Sequence, residues 1–151
     1  MISPSVKHQL VSLVALSVVL TLATGSLPAR ATRVTKTCSS ISSGALDAWW
    51  GKAMVPSKFP GIVDCQWIPA DGSTGTLTVQ VVPARYYDEP KLGQDFKRVS
   101  GIGDRAFVVR DMGGWNAGAL KGARAVVILV SGGKTTRATA LAILKTLLPT
   151  V

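Results

Sequence analysis

The chain has 151 residues, room for one domain of ordinary size and not comfortably for two. Hydrophobic residues make up 47% and charged residues 17%, a balance that excludes a disordered tail or a coiled coil. The formal charge of +9 brings an anionic partner into consideration, and two cysteines are too few for a disulfide-dense mini-protein.

The N-terminal segment reads as an address. Residues 1–9 carry Lys7 and no acid, and Leu10 to Ala23 is an apolar run broken only by small hydroxyl residues. Ala29-Arg30-Ala31 follows as an A-x-A end, completing the pattern of a secretory signal peptide over 1–31. The apolar run falls short of the ~20 residues that a stable span requires, so no membrane anchor is expected after cleavage. A single exported domain, periplasmic or secreted, is then expected over 32–151. His8, the only histidine, leaves with the signal. Without imidazole, Ser-His-Asp and Cys-His catalysis and histidine metal sites are excluded. Cys38 and Cys65 meet an oxidising compartment, where two cysteines allow one pairing; two separate buried thiols are the alternative. Cys38 follows Val34-Thr35-Lys36-Thr37, too polar a run for a lipid-modified cysteine. With the cysteines paired only oxygen ligands remain, and neither a metal nor another cofactor is expected.

Residues 32–40 are polar and expected to be loose until Cys38 ties them down. Ser43 to Trp50 predicts a short helix, with Ser42 or Ser43 as N-cap and an end near Gly51. Residues 55–61 hold two prolines and a glycine and predict a loop. Val63–Ile68 and Thr76–Val82 predict strands joined by a connector beginning Pro69-Ala70-Asp71-Gly72-Ser73, a hairpin signal. Leu77, Val79 and Val81 alternate with Thr76, Thr78 and Gln80, so one face is buried. Residues 85–100, mixed in charge and containing Pro90, predict a loop with a helical turn as its most regular part. Arg105–Asp111 is a third strand, and residues 116–121 a fourth after the Met112-Gly113-Gly114-Trp115 turn. Ala125–Val130 is an unbroken apolar run, the pattern of a central strand covered on both faces. A Ser131-Gly132-Gly133-Lys134 turn leads into a helix over about Thr136–Leu148, stopped by Pro149. The order predicts an α+β fold, an antiparallel sheet of about five strands packed by an N-terminal and a C-terminal helix, with one disulfide.

Several motifs point to chemistry and fail on context. Gly101-Ile102-Gly103-Asp104-Arg105-Ala106 fits G-x-G-x-x-A, but a dinucleotide site requires a helix after it, and here a β-type run follows; it reads as a glycine turn entering a strand. Gly133-Lys134-Thr135 resembles the end of a P-loop, yet the required earlier glycine position holds Ile128. Ser131-Gly132-Gly133-Lys134 fits S-x-x-K, but two glycines argue against the helical turn that pattern needs, and no S-D-N or K-T-G accompanies it. The acids sit mostly at turns and strand ends, where solvated surface groups are the default. Trp49 and Trp50 lie about 100° apart on a helix, so both can hardly be fully buried. All four tryptophans, Trp67 and Trp115 included, read as core or edge packing, with a ligand-stacking platform as the alternative.

The early cysteine, the short helix, Cys65-Gln66-Trp67 opening a hairpin, Gly101-Ile102-Gly103-Asp104 with Ala106, and the C-terminal helix resemble small exported bacterial domains of unknown function. Many of those are lipoproteins. The resemblance covers about residues 38–148; it implies an α+β envelope domain and supplies no catalytic residues.

Charge is unevenly placed. After Asp111 there is no acid, and Lys121, Arg124, Lys134, Arg137 and Lys145 follow. If the last helix packs back along the strand before it, Lys145 lands near Lys121 and Arg124. These three, with Lys134 and Thr135 at the cap of the last helix, are the candidate anion-binding residues; no catalytic residue is assigned. The expected function is an exported, non-catalytic binding or structural module of the cell envelope. Its expected partner is an anionic envelope polymer or an acidic protein surface. Nucleic acid is not expected, since export is predicted and no nucleic-acid-binding motif is present. The alternatives are a protein-directed inhibitor or accessory subunit, or an enzyme using aspartates or Ser131 with Lys134.

Overall fold

A computed structural model describes residues 36–58, 63–111 and 113–151. The proposed signal peptide and residues 32–35 lie outside the described residues. A short helical segment at 36–39 precedes α1 (Ser43–Trp50). Seven strands follow: β1 (Met54–Pro56), β2 (Cys65–Pro69), β3 (Gly75–Pro83), β4 (Gln94–Arg98), β5 (Arg105–Asp111), β6 (Gly114–Lys121) and β7 (Arg124–Gly132). The chain ends in α2 (Arg137–Leu147) and a 3-10 turn at Leu148–Thr150. The fold is α+β with an antiparallel sheet, in the order β1-β2-β3-β7-β6-β5-β4.

Alternation decides which face meets the helices. Leu77, Val79 and Val81 of β3, Val126, Ile128 and Val130 of β7, and Ala117 and Ala119 of β6 are all buried in one cluster. Leu46 and Trp50 of α1 and Ala140, Ile143, Leu144 and Leu147 of α2 fill the same cluster. At roughly 25 cal/mol per Å² of apolar surface, this layer is the main source of stability. Ser42 caps α1 by accepting from Ala45 N–H at 3.2 Å, and Gly51 ends it in the left-handed conformation. Thr136 and Thr139 form a reciprocal capping box at the start of α2. Cys38 and Cys65 are disulfide-bonded, their Cα atoms 5.8 Å apart, which fixes residues 36–39 to β2.

Several expectations are corrected. The sheet has seven strands among the described residues, not about five, because β1 and β4 are edges. β1 overlaps the start of the stretch 55–61 read as a loop; it is three residues long and closes on Pro56, a residue tolerated at a sheet edge. β4 lies within 85–100, and its sequence Gln-Asp-Phe-Lys-Arg carries the charges that protect an edge instead of apolar alternation. The helical turn of that region is the 3-10 turn Ala84–Tyr86. Residues 36–39 are helical, not loose, held at Cys38 and by a Thr150–Thr37 hydroxyl hydrogen bond of 3.0 Å. The central strand β7 is covered fully on one face only. Tyr87, Phe96, Phe107 and Val109 cover the other face toward β4, leaving Val127 and Leu129 half-buried.

Candidate functional site: the basic end of the sheet

β6 and β7 meet in a tight turn, and the register places Lys121 opposite Arg124. The pairing of β3 with β7 puts Arg124 opposite Pro83, two residues before Arg85, and that of β5 with β6 puts Arg105 opposite Leu120. α2 returns along the sheet so that Lys145 shares a cleft of about 400 Å³ with Lys121, walled by the 101–104 turn and Leu148. Lys121, Arg124 and Lys145 form no ion pair with another described residue, although Asp104 lines the same cleft as Lys121 and Lys145. Three of the candidate anion-binding residues are thus gathered at one end of the sheet.

Lys134 and Thr135 lie at the far end of β7. The Lys134 stem runs beside Gly51, and the Thr135 hydroxyl donates to the Gly132 carbonyl at 2.7 Å. The N–H groups of Thr136 and Thr139 at the α2 cap are occupied by the capping box. Ser131 belongs to β7, and its carbonyl accepts the Trp50 indole N–H at 3.0 Å.

The 101–106 motif enters β5, with no helix after it. Gly101 and Gly103 adopt φ of 75° and 62°, which favour glycine. A Cβ on Gly103 would stand 2.3 Å from the Leu120 carbonyl oxygen, so the close approach requires the glycine as well. Asp104 clamps the β6–β7 turn: its carboxylate accepts Gly122 N–H at 2.7 Å while its own N–H donates to the Leu120 carbonyl. Other aspartates act alike. Asp47 accepts from Met54 N–H, Asp64 from Val81 N–H, Asp71 from Ser73 N–H and Asp88 from Glu89 N–H. Among the described residues no group of three His, Cys, Asp or Glu is placed to hold a metal ion. A cleft of about 500 Å³ is walled by the disulfide, Leu46, Met54 and Trp67. It is mostly apolar, and the Asp64 carboxylate in its wall is already engaged.

A second group at this end has no counterpart in the sequence reading. Glu89 is buried, and its Oε2 accepts from Arg98 Nε at 2.9 Å. Tyr87 is buried beside it, with the Arg105 guanidinium 5.2 Å from its ring centre. Nothing in the run Tyr86-Tyr87-Asp88-Glu89 marks one tyrosine and one glutamate for the interior. Burial, and then the negative charge of Glu89, pushes the Tyr87 phenol up to about 12. Because the unfolded chain ionises near 10, it gives up this proton first, and folding stability falls as pH rises from about 10 to 12. The loss should be on the order of 2 kcal/mol. Denaturant melts of wild type and Tyr87→Phe across that window check it: the phenylalanine variant should lose less stability over the interval.

Comparisons with known proteins find no matching family model, no matching curated protein and no matching solved structure.

Proposed function

We propose that the chain is exported and acts as a non-catalytic binding module of the cell envelope, taking an anionic polymer at the basic end of its sheet. The observation that carries this reading is the placing of Lys121 opposite Arg124 and of Lys145 in one cleft with Lys121, none of the three in an ion pair among the described residues; Asp104, the one acid lining that cleft, is engaged by Gly122 N–H. The Cys38–Cys65 disulfide is consistent with an oxidising, exported location. No described helix is long and apolar enough to cross a membrane. Contacts from exposed lysines and arginines to a polyanion are individually weak and screened by salt, so the site works by several charges acting together.

The test is retention of the chain on immobilised polyphosphate and polyglutamate at low and high salt. Replacing Lys121, Arg124 and Lys145 with alanine should weaken binding about tenfold, and high salt should release both proteins. Equal retention of wild type and variant, or retention indifferent to salt, contradicts the reading. Retention by a folded acidic protein and by neither polymer would assign the surface to a protein partner instead.

A further inference from the structure

The recess around Glu89 holds two buried polar atoms of opposite kind without partners. Glu89 Oε1 is an acceptor with no donor, and the Tyr87 hydroxyl is a donor with no acceptor; they are not hydrogen-bonded to each other. The Glu89 side chain is 5% exposed, whereas that of Arg98, its partner through Oε2, is 67% exposed. An orphaned buried acceptor is costly, more so when charged, so such a pair in one place points to a ligand that satisfies both. Glu89 lines two adjoining hollows, a cleft of about 420 Å³ and a smaller one of about 90 Å³, and Arg98 and Arg105 line both. Around them Asp88, Glu89 and Asp104 balance Lys91, Arg98 and Arg105. The recess is therefore strongly polar but near neutral, unlike the neighbouring surface at Lys121, Arg124 and Lys145.

We propose that this recess binds a small zwitterion, a free α-amino acid, with its ammonium on Glu89 and its carboxylate on Arg98, Arg105 and the Tyr87 hydroxyl. A simple anion would satisfy the arginines and Tyr87 and leave Glu89 Oε1 orphaned. A simple cation would do the reverse. A ligand carrying both charges on either side of one carbon meets every group. Arg98 engages Glu89 through Nε, leaving its two terminal nitrogens for a carboxylate. Its exposed side chain can pivot as the ammonium arrives, so that one ion pair is exchanged for two. The site is separate from the polyanion surface proposed above and does not depend on it.

The test is a calorimetric and amide-NMR titration of the oxidised chain with glycine and L-alanine, alongside acetate and methylamine as the two halves of the zwitterion. The amino acids should bind saturably, at least tenfold more tightly than either half, with shifts at residues 87–89, 98 and 105. Arg105→Ala, an exposed substitution, should weaken binding about tenfold with an unchanged melting temperature. Glu89→Gln should abolish the preference for glycine over acetate if that variant folds. Acetate binding as tightly as glycine would overturn the proposal in favour of an anion site. Absence of saturable binding by both amino acids would overturn it outright.

Discussion

Replacing Trp50 with alanine is expected to destabilise the fold by about 4 kcal/mol. α1 has eight residues, too few to be stable alone, so it exists because it is docked. Trp50 does much of that docking: it is 1% exposed, and its indole N–H donates to the Ser131 carbonyl. Gly133 is in close contact with it; a Cβ there would stand 2.8 Å from the Trp50 carbonyl oxygen. Truncation leaves a cavity and removes the Ser131 carbonyl's partner together. Trp49, its half-buried neighbour, should cost only about 1 kcal/mol when truncated. Urea melts of the two variants decide it, and equal losses would contradict this assignment of α1's buried side.

Removing the disulfide should cost roughly 3–4 kcal/mol in the chain-entropy model, since it closes a sequence separation of 27. The bond also positions Thr37, whose hydroxyl accepts from Thr150 at the other end of the chain. A Cys38→Ser/Cys65→Ser double variant, which leaves no free thiol, should melt at correspondingly lower denaturant. Unreduced peptide mapping of the wild type should recover the two cysteine peptides joined. Equal stability of the double variant and the oxidised wild type would contradict the account.

How much of this was legible in the sequence varies with the kind of signal. Arg105–Asp111 appears with the predicted bounds, and β3, β7, α1 and α2 agree within a residue or two, because each has either alternation or a helical period with a cap. The hairpin at Asp71-Gly72 was equally readable: the Asp71 carboxylate accepts both the N–H and the hydroxyl of Ser73. β1 and β4 were not readable, because an edge strand is recognised by having a neighbour, and three residues ending in proline show no period. The gathering of Lys121, Arg124 and Lys145 followed from counting charges and assuming that α2 returns along β7. The separation of Lys134 and Thr135 from them follows from the length of that same strand. Arg98, Arg105, Tyr87 and Glu89 escaped notice for another reason. They lie in a stretch whose charges sum to little, and the loop holding Tyr87 and Glu89 meets Arg98 of β4 and Arg105 of β5 only through tertiary packing. Net charge along a chain carries no information about which charges share an end of a sheet.

The proposed working surface is the end of the sheet bearing the β6–β7 turn. Its most direct test is a site-resolved amide-NMR titration of the oxidised chain with short polyphosphate at low salt. The account predicts that the largest shifts fall at residues 121–124 and around Lys145 and disappear as salt is raised. Shifts centred on 134–137 at the opposite end, or spread evenly over the surface, would contradict it.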